Sequence, residues 1–273
     1  MNRSTEQLRK LANRMRLDVI QMIGPDKKGH FGGSMSSADL VAALYFEVMD
    51  YDAQNPAWEK RDRFIMSKGH SCPIQYAALA EKGVFPVEEL KTLKELGSRL
   101  QGHPDRTKTP GVEVNTGSLG QGLSQGNGIA LALKMDGIGA HVFVITGDGE
   151  LNEGQVWEAA MFTCAKELDN VTLIVDRNGL QAMGCTSDRL NNSNLYEKFE
   201  SFGWKTMEID GHDMDEVVSA LYEAKNDGKP TCIIANTIKG KGIEIAEGVA
   251  AFHNGNLTQE QYDKAVADLG GLI

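Results

Sequence analysis

The chain has 273 residues, 41% of them hydrophobic, enough for one large α/β domain with a substantial core. Its 28 basic and 38 acidic residues leave a net charge of −10, which argues against nucleic acid or an anionic membrane surface as the main partner. Four cysteines, Cys72, Cys164, Cys185 and Cys232, form no Cys-x-x-Cys pair, and no apolar run has the length of a bilayer span or the form of a secretory leader. A cytoplasmic protein with reduced thiols is therefore expected.

Residues 4–23 carry Leu8, Leu11, Met15, Val19 and Met22 at helical spacing, and Gly24-Pro25 stops the helix. A glycine-rich loop with one histidine follows, Lys28-Gly-His30-Phe31-Gly-Gly-Ser-Met-Ser36, and Ser36 or Ser37 is placed to cap a helix over 38–48. A polar surface loop leads to a short strand, Phe64-Ile-Met66, which ends at Ser67-Lys68-Gly69-His70. Helices are expected over 73–82 and 87–96. Gln101-Gly-His103-Pro104 and the tight loop Gly117-Ser-Leu119-Gly-Gln-Gly122 come next. That loop feeds a helix over 123–135, whose Gly126, Gly128, Ala130 and Ala132 suit close approach to a neighbour.

The pattern is sharpest from Ile145 to Leu180. His141-Val-Phe-Val-Ile-Thr146 reads as a buried strand that stops at Gly147-Asp148-Gly149. A helix follows, with Val156, Ala159, Ala160, Phe162, Thr163 and Leu168 roughly on one face. Val171-Thr-Leu-Ile-Val175 is a second strand, ending at Asp176-Arg-Asn178-Gly179. Strand, helix and strand form a βαβ unit with parallel strands, so Asp148 and Asn178 meet at the carboxyl edge, where α/β sheets bind ligands. A carboxylate, an amide oxygen and glycines that admit a phosphate are the makings of a Mg²⁺-diphosphate site. Each piece alone is an ordinary turn signal; their juxtaposition carries the argument.

Beyond Leu180 lies an Asn- and Ser-rich loop over 186–194, then a strand over 204–209. Gly211-His212-Asp213 caps a helix over Met214–Asn226. Thr231-Cys-Ile-Ile-Ala235 is a further buried strand, followed by a basic glycine-rich loop, Asn236-Thr-Ile-Lys239-Gly-Lys241-Gly242, suited to a phosphate. Phe252-His253-Asn254-Gly255 and a polar helix over 258–269 close the chain.

Gly147-Asp148-Gly149 with Asn178 resembles the thiamine diphosphate motif. Ser-Lys-Gly-His, Gln-Gly-His-Pro-Asp, Gly-Ser-Leu-Gly-Gln-Gly, Thr-Gly-Asp-Gly-Glu-Leu-Asn-Glu-Gly and Asn-Gly-Leu-Gln stand in the order found in transketolases. The chain is similar to the pyrophosphate-binding half of that family. The resemblance implies an α/β thiamine diphosphate-binding fold, a mostly parallel sheet with helices on both faces, as a single domain over 1–273. It implies thiamine diphosphate as cofactor, with Mg²⁺ (Ca²⁺ or Mn²⁺ as substitutes) held by Asp148, Asn178 and the Leu180 carbonyl. His70, Gly117, Leu119, Gly147, Gly149 and His253 would join them around the cofactor.

By the same resemblance His30 and His253 would serve the substrate's C1 and carbonyl-side oxygens and His103 the donor's hydroxyls, with Lys68 and Lys239 adding positive charge. Imidazoles that titrate near neutrality suit such proton traffic. His141 and His212 lie outside the matching motifs and read as surface or capping residues. Phe31 stands where the family has Pro, and Phe252-His253-Asn254-Gly255 where it has Trp-His-Gly-Lys. Glu153 matches a glutamate that joins an acid network between protomers, and reads equally as a first-turn acid favourable to the helix dipole.

The glutamate that activates the aminopyrimidine, the aromatics that hold it and the arginines for the sugar phosphate's tail have no counterpart in the sequence. The resemblance thus implies the N-terminal subunit of a split transketolase, a transferase of two-carbon ketol units between sugar phosphates. Its partner would be a C-terminal subunit, the two forming a heterotetramer. The pair would serve carbohydrate metabolism, through the pentose phosphate route or a pathway using a sulfo- or branched sugar. A dehydrogenase E1 α-type subunit is disfavoured by the histidine series and a deoxyxylulose phosphate synthase fragment by length; a non-catalytic, regulatory protein on this scaffold is the remaining alternative.

Overall fold

The computed structural model describes residues 3–190 and 192–273. Its centre is a five-stranded sheet in the order β1-β2-β3-β7-β6, where β1 is Arg63–Met66, β2 Val142–Gly147, β3 Val171–Arg177, β6 Lys205–Asp210 and β7 Thr231–Asn236. Every pairing is parallel. Two-residue strands β4 (Leu180–Gln181) and β5 (Gly184–Cys185) form a separate antiparallel pair just past β3.

Helices cover both faces, which is why the strands read as near-continuous apolar runs rather than alternating ones. Successive residues of β2 still point to opposite sides. Phe143 and Ile145 join one core with α1 (Thr5–Ile23), α3 (Ala38–Ala43), α4 (Cys72–Lys82) and α8 (Met214–Asn226). Val142 and Val144 join a second core with α5 (Gly122–Met135), α6 (Gly154–Ala165) and α7 (Leu195–Phe202). No described helix is long and apolar enough to cross a membrane.

Several expectations are corrected. The segment expected as a glycine-rich loop winds into a short helix, α2 (Phe31–Ser36), whose side chains are all buried. Neither Ser36 nor Ser37 caps the next helix. Both hydroxyls turn instead to Asp176 Oδ2, at 2.6 and 3.2 Å, because a buried carboxylate needs donors more than a helix end does. The helix expected over 38–48 divides into α3 and a π turn, Leu44–Val48. The helix expected over 87–96 is a short 3₁₀ segment, Val87–Thr92, soon followed by Lys94 at φ 64°. A 3₁₀ turn, Gly149–Asn152, precedes α6. Helix α7 and the β4–β5 pair have no counterpart among the elements expected from the sequence. The closing helix is α9, Gln259–Gly270.

The small residues of α5 serve this chain's own sheet. A Cβ at Gly126 would lie 2.8 Å from Val144 Cγ2, and Asn127 Nδ2 donates to Ala159 O of α6 at 2.9 Å. The opposite side of the same helix pair leaves Gly128, Ala132, Met135, Met161 and Phe162 exposed.

Candidate active site

Parallel register sets Gly147 beside Asp176, and Asp176 beside Ala235. The carboxyl ends of β2, β3 and β7 therefore open onto one edge, and the residues just past them converge. Asp148 Oδ1 accepts from Gly149 N at 2.9 Å. Its Oδ2 accepts from Gly179 N at 2.7 Å and from Thr186 Oγ1 at 3.4 Å. Asn178 Oδ1 accepts from Leu180 N at 3.1 Å, and the Leu180 carbonyl accepts from Lys239 Nζ at 3.1 Å. A cationic group thus already faces the carbonyl that the motif assigns to a metal.

A cavity of about 230 Å³ lies over this edge. His70, Leu119, Gly147, Asp148, Gly149, Asn178, Leu180 and His253 line it, together with Gly33, Lys68, Glu150 and Lys239. A wider groove of about 710 Å³ around Glu95–Arg99 is open to solvent and away from the strand ends.

The four motif histidines gather on one side. The ring centroids of His30 and His70 are 5.0 Å apart, those of His70 and His253 4.9 Å, and those of His30 and His253 5.6 Å. His103 stands further out, 6.5 Å from His30. A backbone bridge joins His30 to His253 across the sequence: Gly29 N donates to Gly255 O at 2.9 Å, and Gly255 N to Gly29 O at 3.2 Å. Gly117, at φ 145°, does not line the cavity; it backs His103, where any Cβ would lie 2.8 Å from the imidazole. His30 and His103 also lie outside the cavity wall; His30 shares a smaller pocket with His70 and Lys94.

Burial shapes the charge states here. It pushes His30 and His253 down to about 4 and His70 to about 2, helped by Lys239 and neighbouring imidazoles. Burial and Lys94 lower His103 as well. The expectation of imidazoles titrating near neutrality is thus corrected: desolvation disfavours the charged ring. Burial, then the charge of Asp176, raises Asp148 to about 6. Lys239 is lowered to about 8, first by burial and then by Lys68.

Two buried carboxylates beneath the cavity belong to none of the site residues expected from the sequence. Asp176 is paired with Lys68 and accepts from Ser36, Ser37 and Thr237. Burial alone would raise it, but Lys68 and these donors hold it down to about 2. Glu150 accepts from the Ser67 hydroxyl, from Gly120 N at 2.9 Å and from Gly147 N at 3.1 Å, tying three motif loops together. An acid closing an apolar strand, as Asp176 closes β3, is the signal that the sequence offers for such a role.

The two remaining histidines, expected as surface or capping residues, are held inside instead: His141 is buried and His212 partly buried. His141 Nε2 lies 2.8 Å from Thr172 Oγ1 between strands. His212 sits between Asp39 and the backbone of Ile238. Glu153 is exposed at the start of α6, and its side chain does not cap the helix.

Comparison with known proteins decides the family. Residues 7–271 match the transketolase, thiamine diphosphate binding domain. The chain belongs to the transketolase family. It is 47% identical over 94% of its length to a 6-deoxy-6-sulfo-D-fructose transketolase subunit of Clostridium sp. (strain MSTE9), covering 94% of that protein. It is 40% identical over its whole length to an apulose-4-phosphate transketolase subunit of Phocaeicola vulgatus, covering 96% of it. Against the Homo sapiens transketolase it is 38% identical over 97% of this chain but spans only 42% of that protein. Among solved structures, the Campylobacter jejuni transketolase matches with a TM-score of 0.91 and 33% identity over 99% of this chain and 43% of that one. This transketolase chain therefore carries the domain that binds thiamine diphosphate, and the relatives it matches over nearly their whole length are transketolase subunits.

Proposed function

We propose that this chain is the diphosphate-gripping, N-terminal half of a two-chain transketolase. It would move a two-carbon ketol unit from a ketose phosphate to an aldose phosphate in the cytoplasm. The observation that carries the reading is the convergence of Asp148, Asn178 and Leu180 on one cavity that His70 and His253 also line.

The donor set fits a divalent cation with a diphosphate. Asp148 offers a carboxylate, and Asn178 and the Leu180 carbonyl offer neutral oxygens, a hard-oxygen set suited to Mg²⁺, with Ca²⁺ or Mn²⁺ as substitutes. Asp148 is the one carboxylate of this set, and neutral oxygens, the diphosphate and water would complete the shell. The charge of Asp176 raises Asp148's cost of ionisation, which a bound cation would relieve. Lys68, Lys239 and His70 face the same cavity, and Gly147, Gly149 and Leu119 would form the rest of the cofactor's bed.

Thiamine diphosphate, when bound, supplies the carbanion-like carbon that ketol transfer needs. The chain's own task is to orient it, exclude water and move protons. His30, His103 and His253, kept neutral at pH 7, can each accept or donate a proton at the sugar's C1, carbonyl and hydroxyl oxygens. His253 Nδ1 is buried with no hydrogen-bond partner among the described residues, leaving it for such an oxygen.

The chain would act as one diphosphate-binding domain, with the pyrimidine-binding and C-terminal domains on a separate subunit, two copies of each in a heterotetramer. The names of the Clostridium and Phocaeicola relatives favour a sulfonated or branched sugar over the ordinary pentose phosphates. A ketol-transfer panel with the reconstituted pair tests this, using pentose and hexose ketose phosphates, a sulfonated ketose and a branched sugar phosphate. Turnover confined to one class identifies the substrate. No turnover on any, with cofactor bound, supports the non-catalytic alternative.

A further inference from the structure

The loop after β7 carries Lys239 into the cavity, and a histidine outside the site holds that loop. His212 precedes α8. Its Nδ1 lies 2.7 Å from Asp39 Oδ2, and its Nε2 accepts the backbone N–H of Ile238 at 2.8 Å. Asp39 is itself buried and paired with the buried Arg16. An ionised carboxylate only accepts, so the imidazole proton belongs on Nδ1 and the lone pair on Nε2, which is what the Ile238 donor requires. The approach is close by construction: Gly211 N donates to Asn236 O at 2.8 Å, and a Cβ at Gly211 would lie 2.5 Å from Thr237 Cγ2.

We propose that His212 is a positioning residue for the cofactor site, acting through the Ile238–Lys239 peptide on the Lys239 ammonium at the Leu180 carbonyl. The proposal rests on the reading of the cavity as the thiamine diphosphate site. The loop is tied elsewhere as well: Thr237 N donates to Arg177 O at 3.1 Å, Gly240 N to Gly32 O at 3.1 Å, Lys241 N to Ile238 O at 3.2 Å and Gly248 N to Lys239 O at 2.9 Å. The Ile238 N–H has His212 as its acceptor among the described residues. Lys239 is 3% exposed, so its stem follows the peptide with little freedom. Releasing the Ile238 N–H loosens the hold on the ammonium at the Leu180 carbonyl, while the ring nitrogens of His212 bond only Asp39 and Ile238 among the described residues.

Two substitutions separate the two ring nitrogens. His212→Asn reaches Asp39 but is too short to accept from Ile238. His212→Gln places a carbonyl oxygen near Nε2 and restores that acceptor. The assembled two-chain enzyme is tested with Mg²⁺ and thiamine diphosphate by fluorescence quenching, and by hydrogen exchange of the 236–241 amides without cofactor. His212→Asn is expected to weaken cofactor binding about 10–100-fold, as loss of an outer-shell partner does, with kcat at saturating cofactor nearly unchanged. Exchange of the Ile238 amide should rise in parallel, and His212→Gln should recover most of both. In a Lys239→Met background His212→Asn should have no further effect on affinity. Equal affinities for the Asn, Gln and wild-type proteins, or an undiminished loss in the Lys239→Met background, would overturn the proposal. If wild type itself binds no cofactor, the site reading fails, while the exchange data still report whether His212 holds the loop.

Discussion

The carboxylate of Asp148, past the end of β2, accepts the backbone N–H of Gly179, past the end of β3, at 2.7 Å. With the parallel register of β2 and β3, this bond joins two motifs that the sequence holds a whole helix apart. It aims one carboxylate oxygen at the Asn178–Leu180 turn and leaves Asp148 as the carboxylate of the proposed metal shell.

Asp148→Ala should therefore weaken Mg²⁺-thiamine diphosphate binding by more than the roughly 10–100-fold typical of losing an outer-shell partner. Asn178→Ala should act in the same direction. Titration calorimetry on the assembled enzyme measures both, and an unchanged affinity in Asp148→Ala removes the site assignment.

The pH dependence of that binding has a definite sign. Asp148 titrates at about 6 in the folded chain, above its ordinary range. Below that pH the carboxyl is protonated and must lose its proton to bind a cation. Mg²⁺ affinity should be flat at neutral pH and fall up to about tenfold per pH unit below about 6. Affinity measured across this range without such a fall would contradict the shift.

His30→Ala and His103→Ala should lower kcat while leaving cofactor affinity intact, since both rings stand beside the cavity rather than in its wall. Loss of a general acid–base group costs about 10²–10⁴-fold in rate. Steady-state rates within a few-fold of wild type for both variants would make these histidines structural.

Lys68 and Asp176 form a buried ion pair, 3% and 0% exposed. Asp176→Ala leaves the Lys68 ammonium buried without its partner and should destabilise the chain by about 3–5 kcal/mol in urea unfolding. The native pair is acid-sensitive in a defined window. Asp176 is held at about 2, below the ordinary carboxylate range near 3.9, so its contribution is complete above pH ~4 and is lost as pH falls through about 2. A variant as stable as wild type would show that water reaches the lysine.

The chain alone should be inactive and bind the cofactor weakly, and should assemble two-and-two with a C-terminal subunit. The exposed side of α5 and α6, with Met135 79% and Met161 49% accessible, is the expected contact surface. Light scattering after size exclusion, with a ketol-transfer assay, checks this; full activity from the pure chain would refute it.

The β2–α6–β3 unit is legible in the amino-acid sequence, because apolar runs closed by Gly147-Asp148-Gly149 and Asn178-Gly179 announce buried parallel strands, and that topology places their ends together. The motif histidines are legible only as a resemblance, since a lone loop histidine carries no chemistry of its own. The meeting of His30 and His253 comes from the Gly29–Gly255 bridge, a pairing across nearly the whole chain that no local pattern encodes. The glycine-rich stretch at Gly32-Gly33 misleads because glycine disfavours helix locally. Here close packing decides: a Cβ at Gly32 would lie 2.8 Å from the Lys239 side chain, and one at Gly33 2.4 Å from Ser71 Oγ. The sequence by itself determined which strands are buried and which loops end on the binding edge, because hydrophobic periodicity and turn chemistry are short-range. Only the tertiary structure decided that Asp176 and Glu150 lie beneath the cavity and that the histidines there are neutral. Desolvation and ion pairing depend on neighbours that meet only once the sheet is assembled.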